Sequence, residues 1–127
     1  HTHSQLDDAT HRSFIAAFGT GMVRPLGQLA DMTRRGRAVD DHGRNVYLPN
    51  VDRLGLPILF IQGAKNTIFK PEGTARTLAW LREHHYPALF DLLYLDEYAH
   101  LDAMVGRNAA GDVYPRIVAH LDRHAGH

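Results

Sequence analysis

The chain has 127 residues, 44% of them apolar and 22% charged, the balance of one globular domain and not of a disordered or fibrous segment. Fourteen basic and fourteen acidic side chains cancel, so no net field gathers nucleic acid or an anionic membrane surface. Cysteine is absent, which removes disulfides, thiolate metal ligands and a cysteine nucleophile together.

No apolar run approaches the roughly 20 residues of a transmembrane helix, and no basic stretch precedes an apolar one at the start. The expectation is a cytoplasmic protein without a membrane span. The chain opens on His1 and not on methionine, from which a piece of a longer polypeptide is expected.

Phe14, Ile15 and Phe18 recur at helical spacing and Gly19-Thr20-Gly21 offers a stop, which predicts a first helix over roughly 7–18. Pro25 suits an early helical position. Leu26, Leu29 and Met32 then line one face of a second helix, which ends near Arg35 with cations at its negative pole. Asp40 to Asn45 is rich in turn formers, and Val46-Tyr47-Leu48-Pro49 reads as extended chain stopped by proline.

Residues 56–63, Leu-Pro-Ile-Leu-Phe-Ile-Gln-Gly, form an apolar run without alternation, the signature of a strand buried on both faces of a parallel sheet. Pro71 opens an amphipathic helix carrying Ala75, Leu78, Ala79 and Leu81 as far as His84-His85. Phe90 to Leu95 is a second strand, and Ala109 to His124 a final helix with Val113, Ile117, Val118 and Leu121 on one face. Strand, helix, strand, helix implies an α/β fold with a parallel pair joined by a right-handed crossover. Two strands cannot by themselves enclose residues 58–61, so a partner sheet is expected.

In open parallel sheets functional groups gather where strands end, and here 63–70 and 96–102 leave the carboxyl ends of the two strands. His100 and Asn66 therefore share a rim. A serine-hydrolase site needs a nucleophile as well, but no Gly-x-Ser-x-Gly occurs, and Ser4 and Ser13 are the only serines.

Residues 50–66, Phe69-Lys70-Pro71-Glu72-Gly73-Thr74, Tyr98-Ala99-His100-Leu101-Asp102 and 106–115 carry a family resemblance. They are similar to the C-terminal part of the α/β-hydrolase domain found fused to cholesterol oxidases of the glucose-methanol-choline flavoprotein type. The resemblance covers most of the chain. It implies one partial α/β-hydrolase domain over 1–127, with cap or lid helices and a connector over 1–55 and the last two strands and helices over 56–127.

It further implies an esterase- or lipase-like carboxylic ester hydrolase, acting on a large apolar ester, whose nucleophilic serine and flavin oxidase half belong to upstream sequence. Position by position, His100 matches the general base and Asn66 falls where most α/β-hydrolases keep an aspartate. An amide can hold one imidazole tautomer but cannot stabilise imidazolium; in the serine-protease template the acid-to-amide change lowers kcat by about 10⁴. Three readings follow: an acid from elsewhere, Glu72 or Asp102; an amide-assisted histidine; or a domain with little turnover.

Each candidate has a plainer role. Asp102 suits a cap on the segment after His100, Glu72 a first helical turn favoured by the dipole, and Asn66 a turn. His120 and His124 stand at zinc-compatible spacing without a recognisable third ligand, Arg34, Arg35 and Arg37 read as a solvated face, and Gly19-Thr20-Gly21 lacks the context of a phosphate loop. No metal and no cofactor is expected. The expected partners are the missing N-terminal half or a second copy, and the competing reading is a non-catalytic module that oligomerises through its exposed sheet edge.

Overall fold

The structure is a computed structural model that describes residues 7–17 and 23–126. The first helix, α1, spans Asp8–Ala17; the Asp7 carboxylate accepts the Thr10 amide at 2.7 Å, an N-terminal cap that holds this carboxyl below the usual carboxylate range. The predicted helical end at Phe18 and the Gly19-Thr20-Gly21 stop lie outside the described residues. Val23–Arg35 forms α2, closed by Gly36 at φ 62°, where the Arg37 amide reaches back to the Met32 carbonyl at 3.3 Å. Leu26 and Leu29, on the one face that helical periodicity marks as apolar, are exposed. The helix is tied down by a polar contact: Gln28 Nε2 donates to the carbonyl of fully buried Val39 at 2.9 Å.

The connector differs from the extended chain expected at Val46 to Pro49. Leu48–Leu54 is a 3-10 turn with Pro49 in its first positions, where a missing N–H costs nothing. His85 Nε2 lies 2.8 Å from the Val51 carbonyl and fastens this turn to the far end of the next helix.

Ile58–Gly63 is strand β1, Pro71–His84 is α3, and Phe90–Leu95 is strand β2, preceded by a short 3-10 turn over Pro87–Leu89. The strands pair in parallel, Ile58 opposite Phe90 through Gly63 opposite Leu95. Side chains alternate across the sheet, so each face takes a different partner. On one face Ile58, Phe60 and buried Phe90 pack with Leu78, Leu81 and Trp80 of α3 and with Val51. On the other, Ile61, Leu93 and Leu95 pack with Tyr98, Ala109, Val113 and Ile117. This is a mixed α/β arrangement: a two-stranded parallel sheet between helices.

Full burial of the first strand was expected, but residues 58–61 are half-buried, because β1 has one hydrogen-bonded neighbour among the described residues. Leu92 and Tyr94, which share the α3 face, remain 39% and 47% exposed. After β2 come α4 at Asp102–Val105, α5 at Ala109–Asp112 and α6 at Tyr114–His124. The single helix expected over 109–124 is thus broken at Val113. Pro115, in the first turn of α6, has no N–H to continue α5 and restricts the residue before it. No helix of the described residues is long and apolar enough to cross a membrane.

Candidate active site

Gly63 ends β1 and lets the next strand's exit loop come close. A Cβ there would stand 2.7 Å from the Tyr98 carbonyl carbon and 2.8 Å from the Ala99 oxygen, so any larger residue forces the loops apart. With that contact allowed, the Ala64 amide donates to the Leu95 carbonyl and the Lys65 amide to the Tyr98 carbonyl, both at 2.9 Å. Lys65 and Glu97 add an exposed ion pair between the same loops.

These bonds put Asn66 beside His100. Asn66 is buried, and its Oδ1 accepts two backbone amides of its own loop, from Ile68 at 3.1 Å and Phe69 at 3.0 Å. Its Nδ2 lies 3.4 Å from His100 Nδ1. The Phe69 ring packs obliquely on the imidazole, centroids 5.0 Å apart and planes inclined at 48°. Phe69 belongs to the stretch that carries the family resemblance, but its packing on the imidazole is not legible there, since three residues along a loop carry no fixed direction; the Asn66 turn supplies one.

Gln62 secures the loop from the strand side. Its buried amide donates to the Gly63 carbonyl at 2.8 Å and the Phe69 carbonyl at 3.2 Å, while its oxygen accepts from the Thr74 hydroxyl at 2.6 Å. A polar residue in an apolar strand was the available signal, because buried amides require such partners.

The His100 segment is clamped from below. Tyr98 is buried and donates its phenol proton to Asp112 at 2.5 Å; burial, then the Asp112 acceptor, pushes its pKa up to about 12. Asp102 is fully buried as the first residue of α4, and its Oδ2 accepts the Ala99 amide at 2.9 Å. It therefore ties a residue three positions earlier, and it is not the capping residue of α4, a position held by Leu101. Gly106 completes the turn by donating to the Asp102 carbonyl at 2.8 Å.

Glu72 sits exposed in the first turn of α3. It lines an open cleft of about 590 Å³ that also takes in Phe60, Ile68, Phe69, Lys70 and Arg76. Ser13 lies on α1 with its hydroxyl donated to the Ala9 carbonyl at 3.0 Å, a back-bond that engages its proton; Ser4 lies outside the described residues.

Away from this rim, His120 and His124 pack ring against ring at 4.8 Å. Buried His120 Nδ1 makes no hydrogen bond; it faces Asp91 at 3.5 Å, and Asp91 also meets Arg123 at 3.1 Å. Among the described residues no three His, Asp or Glu side chains gather as a metal site would require. Comparison with protein-family models, with curated proteins and with solved structures finds no match to this chain.

Proposed function

We propose that this chain supplies the histidine station of a serine-dependent carboxylic ester hydrolase of the esterase or lipase kind, and that the nucleophile comes from polypeptide outside residues 1–127. The carrying observation is the placement of His100 within 3.4 Å of Asn66, at the carboxyl ends of two adjacent parallel strands, where a base and its orienting group belong. In this role the imidazole takes the serine proton during attack on the ester carbonyl and returns it to the leaving alcohol. The apolar wall of Phe60, Ile68 and Phe69, continuous with the ring that packs on His100, suits a large apolar acyl or alcohol group. This is the C-terminal part of an α/β-hydrolase fold in that reading, with α1 and α2 as cap or lid.

The test offers p-nitrophenyl butyrate to this chain alone and to the longest polypeptide its gene encodes. No turnover is expected from the chain alone, and turnover by the long form should vanish in His100→Ala. Hydrolysis that survives His100→Ala, or a long form that contains no nucleophile elbow, overturns the proposal.

Exposed Leu92 and Tyr94, together with the unpaired strand edges among the described residues, favour a second reading. In it the chain is a non-catalytic association module that covers its sheet with another copy. Light scattering coupled to size exclusion separates the two: a dimer without esterase activity in any form supports the module, and a monomer removes it.

A further inference from the structure

We infer that Asn66 is a positioning residue that holds His100 in the Nε2–H tautomer, the opposite of the one a triad histidine needs. The argument begins with the amide oxygen. Oδ1 of Asn66 accepts the backbone N–H groups of Ile68 and Phe69 at 3.1 and 3.0 Å. Exchanging the amide's oxygen and nitrogen would aim NH₂ at two N–H donors and break both of these loop hydrogen bonds at once. The orientation of the side chain is therefore fixed by its own loop.

With the oxygen engaged, the atom turned toward the imidazole is Nδ2, which only donates. It lies 3.4 Å from His100 Nδ1. A donor facing Nδ1 requires a lone pair there, so the ring proton resides on Nε2. Phe69 supports the arrangement by packing on the ring at 5.0 Å and restricting its rotation.

A triad base works the other way round. Its Nδ1–H donates to the acid, which leaves Nε2 free to accept the serine proton. In this chain the resting ring carries its proton on Nε2, so His100 takes a serine proton there only from the less favoured Nδ1–H form, and turnover is held low. Proton transfer to the ring would also place an N–H on Nδ1, against the N–H of Asn66, converting an attraction into a repulsion. The consequence for ester hydrolysis rests on the reading of His100 as the base; the tautomer does not. An aspartate at position 66 would accept the Ile68, Phe69 and Nδ1 hydrogens together, since a carboxylate has acceptor sites for all three.

The experiment is nitrogen-detected NMR of the imidazole rings of this chain, recorded where the histidines are neutral and with the His100 signals identified by their loss in His100→Gln. The native ring is expected to show a protonated Nε2 and a bare Nδ1, and Asn66→Asp is expected to exchange the two. A native ring protonated at Nδ1 overturns the inference, whether or not the variant folds. In the long form, Asn66→Asp should raise kcat roughly tenfold or more with little change in KM, in the sense opposite to the loss the amide causes in serine proteases. Absence of hydrolysis in every form, alongside a native Nε2–H ring, counts against the esterase reading and leaves the tautomer standing.

Discussion

The backbone of Gly63 lies against the Tyr98 carbonyl, and that contact joins the two loops that carry Asn66 and His100. Gly63→Ala inserts a methyl group where backbone on both sides cannot give way. Destabilisation of about 2 kcal/mol or more is expected in urea denaturation, together with loss of the Asn66 influence on the His100 ring. An unchanged midpoint would show that the loops separate at little cost.

Tyr98, buried and donating its phenol proton to Asp112, should ionise well above the ordinary phenol range. Its folded pKa is raised above the unfolded value of 10.0 to about 12, so its contribution to stability is complete below pH 10 and is lost as the pH climbs toward 12. Absorbance titration of the native chain against Tyr98→Phe checks that step. Tyr98→Phe should remove the slope in this alkaline window and cost about 1 kcal/mol at neutral pH.

Asp102 and its asparagine variant both offer an acceptor to the Ala99 amide, whereas alanine offers none. Stability should fall in the order native, Asp102→Asn, Asp102→Ala, the last step costing about 1–3 kcal/mol for a buried unsatisfied donor. Equal stability of the two variants would mean that the amide finds another partner.

The Asp40 carboxylate gathers the amides of His42 and Arg44 at 3.0 and 2.7 Å and the Arg44 guanidinium at 2.7 Å. The Arg44 amide foremost holds its pKa below the usual carboxylate range, so the order it imposes on this turn persists through mild acid and is lost only as the pH falls through the depressed value. Amide shifts of His42 and Arg44 followed against pH should titrate together, and Asp40→Asn should abolish that step.

Local signals carried part of this molecule. Ile58 to Gly63 and Phe90 to Leu95 are predominantly apolar runs, interrupted only by Gln62 and Asp91, and α3 has Pro71 at its start, so these elements are legible without tertiary information. The nearness of Asn66 to His100 follows from parallel pairing, which brings both strand exits to one side. The direction of the hydrogen bond between them is not legible, because it depends on which amides occupy the Asn66 oxygen, a matter of backbone trace. The exposure of Leu26 and Leu29 is equally opaque: periodicity gives α2 an apolar stripe, but only packing decides whether anything covers it. At Val113 the helical periodicity runs on through a break that Pro115 imposes on the backbone.

Segments that leave strands are commonly the first to loosen, yet the one bearing His100 is bound as the interior is. Ala99 donates its N–H to the fully buried Asp102, and Tyr98 is locked to Asp112 beneath it. Solvent deuterium can reach the Ala99 amide only when that bond to the buried carboxylate opens, so its exchange should be slower than that of a freely fraying loop. The imidazole thus rides on a segment anchored by buried Tyr98 and Asp102, and its orientation should persist as long as those two side chains stay in place.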